Sequence, residues 1–223
     1  VTELADRLHR ELHEAADPEL APAMAAYMKV AENGTLPFLG IRRPAVRRLA
    51  RAAAKGASPE LLVATVRDLW ENADYREERY AAQDILGLRW SAGRLDLLDL
   101  HREMAQTGAW WDHVDEVAHR IADLLDTHPV EVSATLREWS TSEDLWLRRL
   151  AIIGQLGRRE RVDLDLLAAV IEPNTADREF FIRKAIGWAL RDAARVRAAW
   201  VLDFVATTEL SPLSRREALK HLG

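Results

Sequence analysis

Apolar residues recur at every third or fourth position along almost the whole chain, and proline or glycine punctuates the pattern. This is the periodicity of amphipathic helices, whereas strands would show strict alternation. The punctuation is placed as helix ends require. Pro44 opens PAVRRLARAAAKG and Gly56 stops it. Ser58 and Pro59 begin SPELLVATVRDLW as an N-cap and a first-turn proline. Further helices read as YREERYAAQDILGLRW, WDHVDEVAHRIADLLDTH, EDLWLRRLAIIGQLG, EFFIRKAIGWALRDAARV and RAAWVLDFVATT. With the remaining segments, about a dozen short helices are expected, and the fold class is all-α. The least regular segment, Glu32 to Arg43, is expected to be a long loop. No low-complexity linker interrupts the chain, so residues 1–223 are expected to form a single domain.

A faint repeat runs through these helices. YAAQDILG (80–87), AHRIADLL (118–125), RLAIIGQLG (149–157) and KAIGWALRD (184–192) each combine an apolar helix with small residues on one side. They recur every 31 to 38 residues, with another helix between copies. Helix pairs at this period mark an α-solenoid of HEAT-like repeats. A four-helix bundle suits a dozen short helices poorly. In a curved stack the second helix of each pair lines a concave face. The odd polar and aromatic residues of the four segments would then converge there.

Several function classes can be set aside. There is no cysteine, so disulfides and thiolate metal sites are excluded. No apolar run approaches the roughly 20 residues that span a bilayer, and the charged N-terminus lacks a signal-peptide core. A cytoplasmic, membrane-free setting is expected. The segment His9-Arg-Glu-Leu-His13 lacks the glutamate that follows the first histidine in zincins, so no metal is expected. There is no glycine-rich phosphate loop, and no cofactor is implied. Net charge is −5, which weighs mildly against nucleic acid unless charge is segregated to one face.

What remains is one carboxylate among aromatics, with arginines nearby. Eight tryptophans outnumber three tyrosines and four phenylalanines. Trp111 and Asp115 share a helix face, as do Lys184, Trp188 and Arg191. The plain alternatives are core packing for each tryptophan and macrodipole compensation for each charge. Asp112 fits a helix start, and Trp110 fits packing. Asp115 lies a turn inside, beside Trp111, where a purely structural helix prefers an apolar residue. Basic clusters hold Arg42, Arg43, Arg47, Arg48, Arg51 and Lys55, then Arg215, Arg216 and Lys220. Near helix starts, such cations suit phosphate oxygens.

This set matches a substrate that is already cationic. A tryptophan face stabilises a cation by about 0.5–2 kcal/mol. An ionised aspartate stabilises an oxocarbenium ion and can hold an attacking water. Removal of a cationic alkylated base from deoxyribose needs just these groups. A HEAT-like module that binds DNA or protein without catalysis permits the same residues. So, more weakly, does a covalent amine route through Lys184.

In MAAYMK (24–29), FLGIRRP (38–44), the LW, EER and AAQDIL segments (69–86), WWDHVD (110–115), LWLRRLAI (145–152), EFFIRKAIGWALR (179–191) and ELSPLSRREALKH (209–221), the chain resembles the DNA alkylation repair enzymes of the AlkD type. The blocks occur in order over nearly the full length. The resemblance implies an α-solenoid cradling duplex DNA in its concave face. It implies hydrolysis of the N-glycosidic bond of cationic N3- and N7-alkylpurines, without flipping the base, and a tolerance of bulky adducts. It puts catalysis on Trp111, Asp115 and Trp188. It puts Arg149 on DNA, Tyr27 near the lesion and, by motif alone, Arg191 on the backbone. Arg43, Arg47, Lys184 and Arg215 complete the expected DNA contacts. The partner would be duplex DNA containing alkylated purines, engaged by a monomer at the bacterial nucleoid. The surplus Asp and Glu would then face away from DNA.

Overall fold

The computed structural model describes residues 2–222. These residues form thirteen α-helices and no strand. Contacts divide the chain into two compact units, Val1–Ala92 and Gly93–Gly223. The division falls within short turns and single-turn 3₁₀ segments at Arg89–Ser91 and Leu95–Leu97.

The first unit holds α1 (Glu3–Glu14), α2 (Ala21–Tyr27), α3 (Val30–Asn33), α4 (Arg43–Ala54), α5 (Pro59–Glu71) and α6 (Arg76–Leu86). Thr2 caps α1 by accepting from the Ala5 N–H, and Leu4, Leu8 and Leu12 form its buried stripe. Ser58 caps α5 in the same way, ahead of Pro59. On α4 the stripe of Val46, Ala50, Ala53 and Ala54 is buried, which leaves Arg42, Arg47, Arg48, Arg51 and Lys55 in solvent.

The segment between Glu32 and Arg43 is less loose than the sequence suggests. Its start completes α3, which Gly34 closes with φ of 65°. Its end is held by Glu77, a carboxylate with no exposed surface. Glu77 accepts the backbone N–H groups of Leu39, Gly40 and Ile41 at 2.9, 2.9 and 3.0 Å. Three such bonds satisfy a buried negative charge and fix the entry to α4.

The second unit holds α7 (Leu98–Gly108), α8 (Trp111–Thr127), α9 (Pro129–Trp139), α10 (Leu145–Ile153), α11 (Leu164–Ile171), α12 (Phe180–Thr207) and α13 (Pro212–Ala218). α8 packs on α10 and α10 on α12, while α9 packs on α11. Two rows of helices therefore alternate along the chain, as a helix-pair repeat requires. Three of the four similar sequence segments lie in the α8, α10 and α12 row. Small residues let the rows approach: a Cβ on Gly154 would lie 3.0 Å from Ile121 Cγ2 and 3.2 Å from Leu136 Cδ1. Asp144, Asp163 and Ser211 cap α10, α11 and α13 with their side-chain oxygens. Arg197 has non-helical angles (φ −135°, ψ 46°) and breaks α12 into two helices there. That is the boundary read between DAARV and RAAWV.

Candidate active site

Three helix starts build the site within the second unit. α7 ends at Gly108, and Ala109 takes a left-handed conformation with φ of 43°. Trp110 is then extended (φ −152°, ψ 152°) and α8 begins at Trp111. Trp110 does pack inward: its ring lies 5.3 Å from Phe181 at the start of α12 and 5.9 Å from Trp146 on α10. Trp146 and Phe181 close the triangle at 5.1 Å. Aromatic contacts of this kind contribute about 0.5–1.5 kcal/mol each beyond area burial. Asp112 lies in the first turn of α8, where a negative charge meets the positive end of the helix.

Above this aromatic base stands a carboxylate–guanidinium pair. Arg149 donates from Nε to Asp115 Oδ1 and from Nη2 to Asp115 Oδ2, each at 2.9 Å. Its Nη1 donates to the Phe181 carbonyl at 2.8 Å. The side chains are 4% and 17% exposed for Arg149 and Asp115. The planar fork fixes both the position and the plane of the carboxylate. Burial pushes the Asp115 carboxyl up to about 6, against the downward pull of Arg149, and the charge of Asp112 adds a smaller push up.

Trp111 is half-buried one turn before Asp115, and Trp188 is half-buried on α12. Lys184 and Arg191, a turn on either side of Trp188, both bind Glu217 of α13, at 2.8 and 2.7 Å. Arg215 is exposed, and its Nη1 donates to the Val205 carbonyl at 3.2 Å. Arg148, the neighbour of Arg149, instead pairs with Asp177 at 3.2 Å.

The first unit carries the other expected contacts. Tyr27 ends α2 and is 76% exposed. Arg43 and Arg47 both bind Asp84 Oδ1, at 3.2 and 3.1 Å, and Arg43 lies over the Tyr80 ring at 4.5 Å. Both arginine side chains remain partly exposed, whereas Asp84 is buried. His9 and His13 lie 2.8 and 3.8 Å from the Glu78 carboxylate, which also accepts from the Asp74 and Tyr75 N–H groups. Among the described residues no group of three or more His, Cys, Asp or Glu side chains could hold a metal ion. No helix among them is long and apolar enough to cross a membrane.

Four organising groups escaped the sequence reading: the Glu77, Asp84 and Glu217 carboxylates and the Phe181 carbonyl. Phe181 and Glu217 lie in or beside segments singled out for their aromatics or cations, whereas Glu77 and Asp84 lie in a segment read as a helix and a repeat copy. For Asp84 and Glu217 the signal available was a lone acid within an apolar or basic run, as in AAQDIL and SRREALKH; Glu77, one of two adjacent glutamates, and the backbone carbonyl of Phe181 carried none.

A helical-repeat protein with a largely buried aspartate, held by an arginine and one turn from a tryptophan, points to a class of protein. The chain belongs to the DNA alkylation repair enzyme family, whose profile matches residues 8–222. It is similar to a predicted DNA alkylation repair enzyme from Enterococcus faecalis, at 30% identity and a TM-score of 0.81, over 93% of this chain and 97% of that one. It shares its fold with AlkD2 from Streptococcus mutans (18% identity, TM-score 0.64, 89% and 98% covered). The smu.31 protein of Streptococcus mutans UA159 also shares it (19%, 0.63, 80% and 92%). Among curated proteins none matches the chain.

Proposed function

We propose that the protein is a monofunctional DNA glycosylase that hydrolyses the N-glycosidic bond of cationic N3- and N7-alkylpurines in duplex DNA, acting as a monomer in the cytoplasm. The observation that carries this reading is the Asp115 carboxylate, held in one plane by Arg149 a turn from Trp111.

Asp115 supplies negative charge where an oxocarbenium ion develops, and a preorganised charge in a partly dry site acts strongly. The C1′–N bond breaks with its electrons going to the purine, which leaves neutral because alkylation had made it cationic. No acid need protonate the leaving group. Water adds to C1′, and its proton passes to Asp115 and on to solvent. Trp111 and Trp188 offer ring faces to the electron-poor sugar. Arg149, its side chain 4% exposed and its guanidinium committed to Asp115 and the Phe181 carbonyl, keeps the carboxylate aligned rather than gripping DNA; Arg43, Arg47, Lys184, Arg191 and Arg215 serve the phosphates, and Tyr27 lies against the lesion strand. The base stays stacked, so neutral lesions are poor substrates and bulky cationic adducts are accepted.

Base release tests this directly. Purified protein is incubated with DNA carrying 7-methylguanine, 3-methyladenine or a bulky N3-adenine adduct, and free base is measured. Release by the natural protein and a loss of about 100-fold or more in Asp115→Asn, with DNA binding retained, is the expected result. No release from any substrate would leave a non-catalytic DNA- or protein-binding module. A borohydride-trapped adduct on Lys184 would replace direct hydrolysis by a covalent route.

A further inference from the structure

Lys184, Trp188 and Arg191 fall at helical spacings of four and three on α12 and so share one face. One carboxylate spans this row. Glu217 Oε1 lies 2.8 Å from Lys184 Nζ, and Glu217 Oε2 lies 2.7 Å from Arg191 Nη1. Each oxygen thus takes one cation, with Trp188 between them in sequence. The Glu217 side chain is only 13% exposed, against 41% for Lys184 and 21% for Arg191. The acid is the inner member of the cluster and the cations are its outer members.

The backbone of α13 is brought unusually close to make this reach. A Cβ on Gly187 would lie 2.5 Å from Glu217 Cβ and 2.9 Å from the Ser214 carbonyl. The Ser214 hydroxyl donates to the Arg183 carbonyl at 2.9 Å, and Ser211 caps α13 by accepting from the Ser214 N–H. Gly187 immediately precedes Trp188, so α13 docks on the turn that carries the tryptophan. A surface ion pair would need no such approach and would contribute little.

We propose that Glu217 is a positioning residue: it holds Lys184 and Arg191 on either side of Trp188 and sets the charge that this face of α12 offers to DNA. The three charged groups together carry one net positive charge. Glu217 therefore limits grip on undamaged DNA while keeping the tryptophan and its flanking cations in register with the sugar. The inference rests on the glycosylase reading for its catalytic half and on DNA binding alone for its charge half.

Two variants separate charge from span. Glu217→Gln removes the charge at nearly constant shape. It should bind undamaged duplex more tightly, with a slope of log affinity against log salt steeper by about one. It should also release 7-methylguanine about tenfold more slowly in single turnover. Glu217→Asp keeps the charge but is too short to reach both cations. Its salt slope should match the natural protein, while release is slowed. Unchanged release in both variants overturns the positioning role. Slower release with weaker DNA binding and a lower melting temperature in Glu217→Gln reduces Glu217 to a support of the fold, which also overturns it. If the natural protein itself releases no alkylated base, the glycosylase reading fails. The salt slope then decides alone, and an unchanged slope in Glu217→Gln overturns the charge assignment.

Discussion

Asp115 is placed by two kinds of information, only one of them local. Its spacing from Trp111 is visible in the chain, because residues four apart on a helix share a face. Its bond to Arg149 spans 34 positions, and no local pattern distinguishes Arg149 from Arg148 as the partner. The structure separates them: Arg149 turns inward to Asp115, and Arg148 turns to Asp177. The pair has a direct consequence for pH. With its carboxyl raised to about 6 by burial, Asp115 loses its charge as pH falls through that value. Enzyme-dependent base release should then be flat above pH 7 and fall about tenfold per unit well below 6. A rate that is level from pH 7 to 4.5 would exclude Asp115 as the essential anion. Arg149 pulls the Asp115 carboxyl down, so its removal has a predictable sign. Arg149→Lys keeps a positive charge but loses the fork. The acid limb should move to higher pH and the plateau should drop, by about tenfold or more. An acid limb that stays in place would show that Arg149 does not set the ionisation of Asp115.

Helices are the scale at which the chain is most legible. Ser58 is found as the cap that its sequence marks, and Asp144, Asp163 and Ser211 cap three further helices whose caps the sequence reading does not name. The break at Arg197 falls at the boundary read between the two helical segments DAARV and RAAWV. Turns set by tertiary contact are not legible. Ala109 adopts a left-handed conformation without being glycine, and Glu77 orders a loop from a distant helix. Close approach is the other feature that sequence conceals. Gly187 reads as a weak spot in an apolar helix, yet α13 leaves no room for a side chain there. Gly187→Ala sets two effects against each other. Alanine gains about 1 kcal/mol in helix propensity. Overpacking against the Ser214 carbonyl, which is backbone and cannot swing away, costs about 1–3 kcal/mol. The second effect should win, lowering the melting temperature by a few degrees, at roughly 2–4 °C per kcal/mol for a chain of this size. Base release should fall as well, because α13 can no longer hold Lys184 and Arg191 in place. A melting temperature raised by this substitution would mean that α13 shifts at no cost.

For the whole molecule, the repeat spacing is legible because stacking imposes it, whereas the division near Ala92 is not. No linker composition marks it, and the two units are recognised only by their contacts. Charge presents the same problem of average against placement. A net charge of −5 suggests a poor duplex binder, but Arg42 to Lys55 carries six cations and no acid. Placement should govern affinity, because each neutralised phosphate releases counterions locally. Two double variants make equal changes in net charge and test this. Arg43→Gln with Arg47→Gln removes two cations from α4. Arg102→Gln with Arg137→Gln removes two exposed cations from α7 and α9, outside the expected DNA contacts. If net charge governed binding, both would weaken it alike. If placement governs, the first pair alone should flatten the salt slope by about two, since each phosphate contact adds about 0.9. Asp84 makes the first arm more demanding. It is buried and already shared by Arg43 and Arg47, so the slope measures only the charge these arginines have left for DNA. A flattening of two means that Asp84 orients the pair without neutralising it. A flattening near one means that the carboxylate holds one guanidinium back, and none at all would remove Arg43 and Arg47 from the interface.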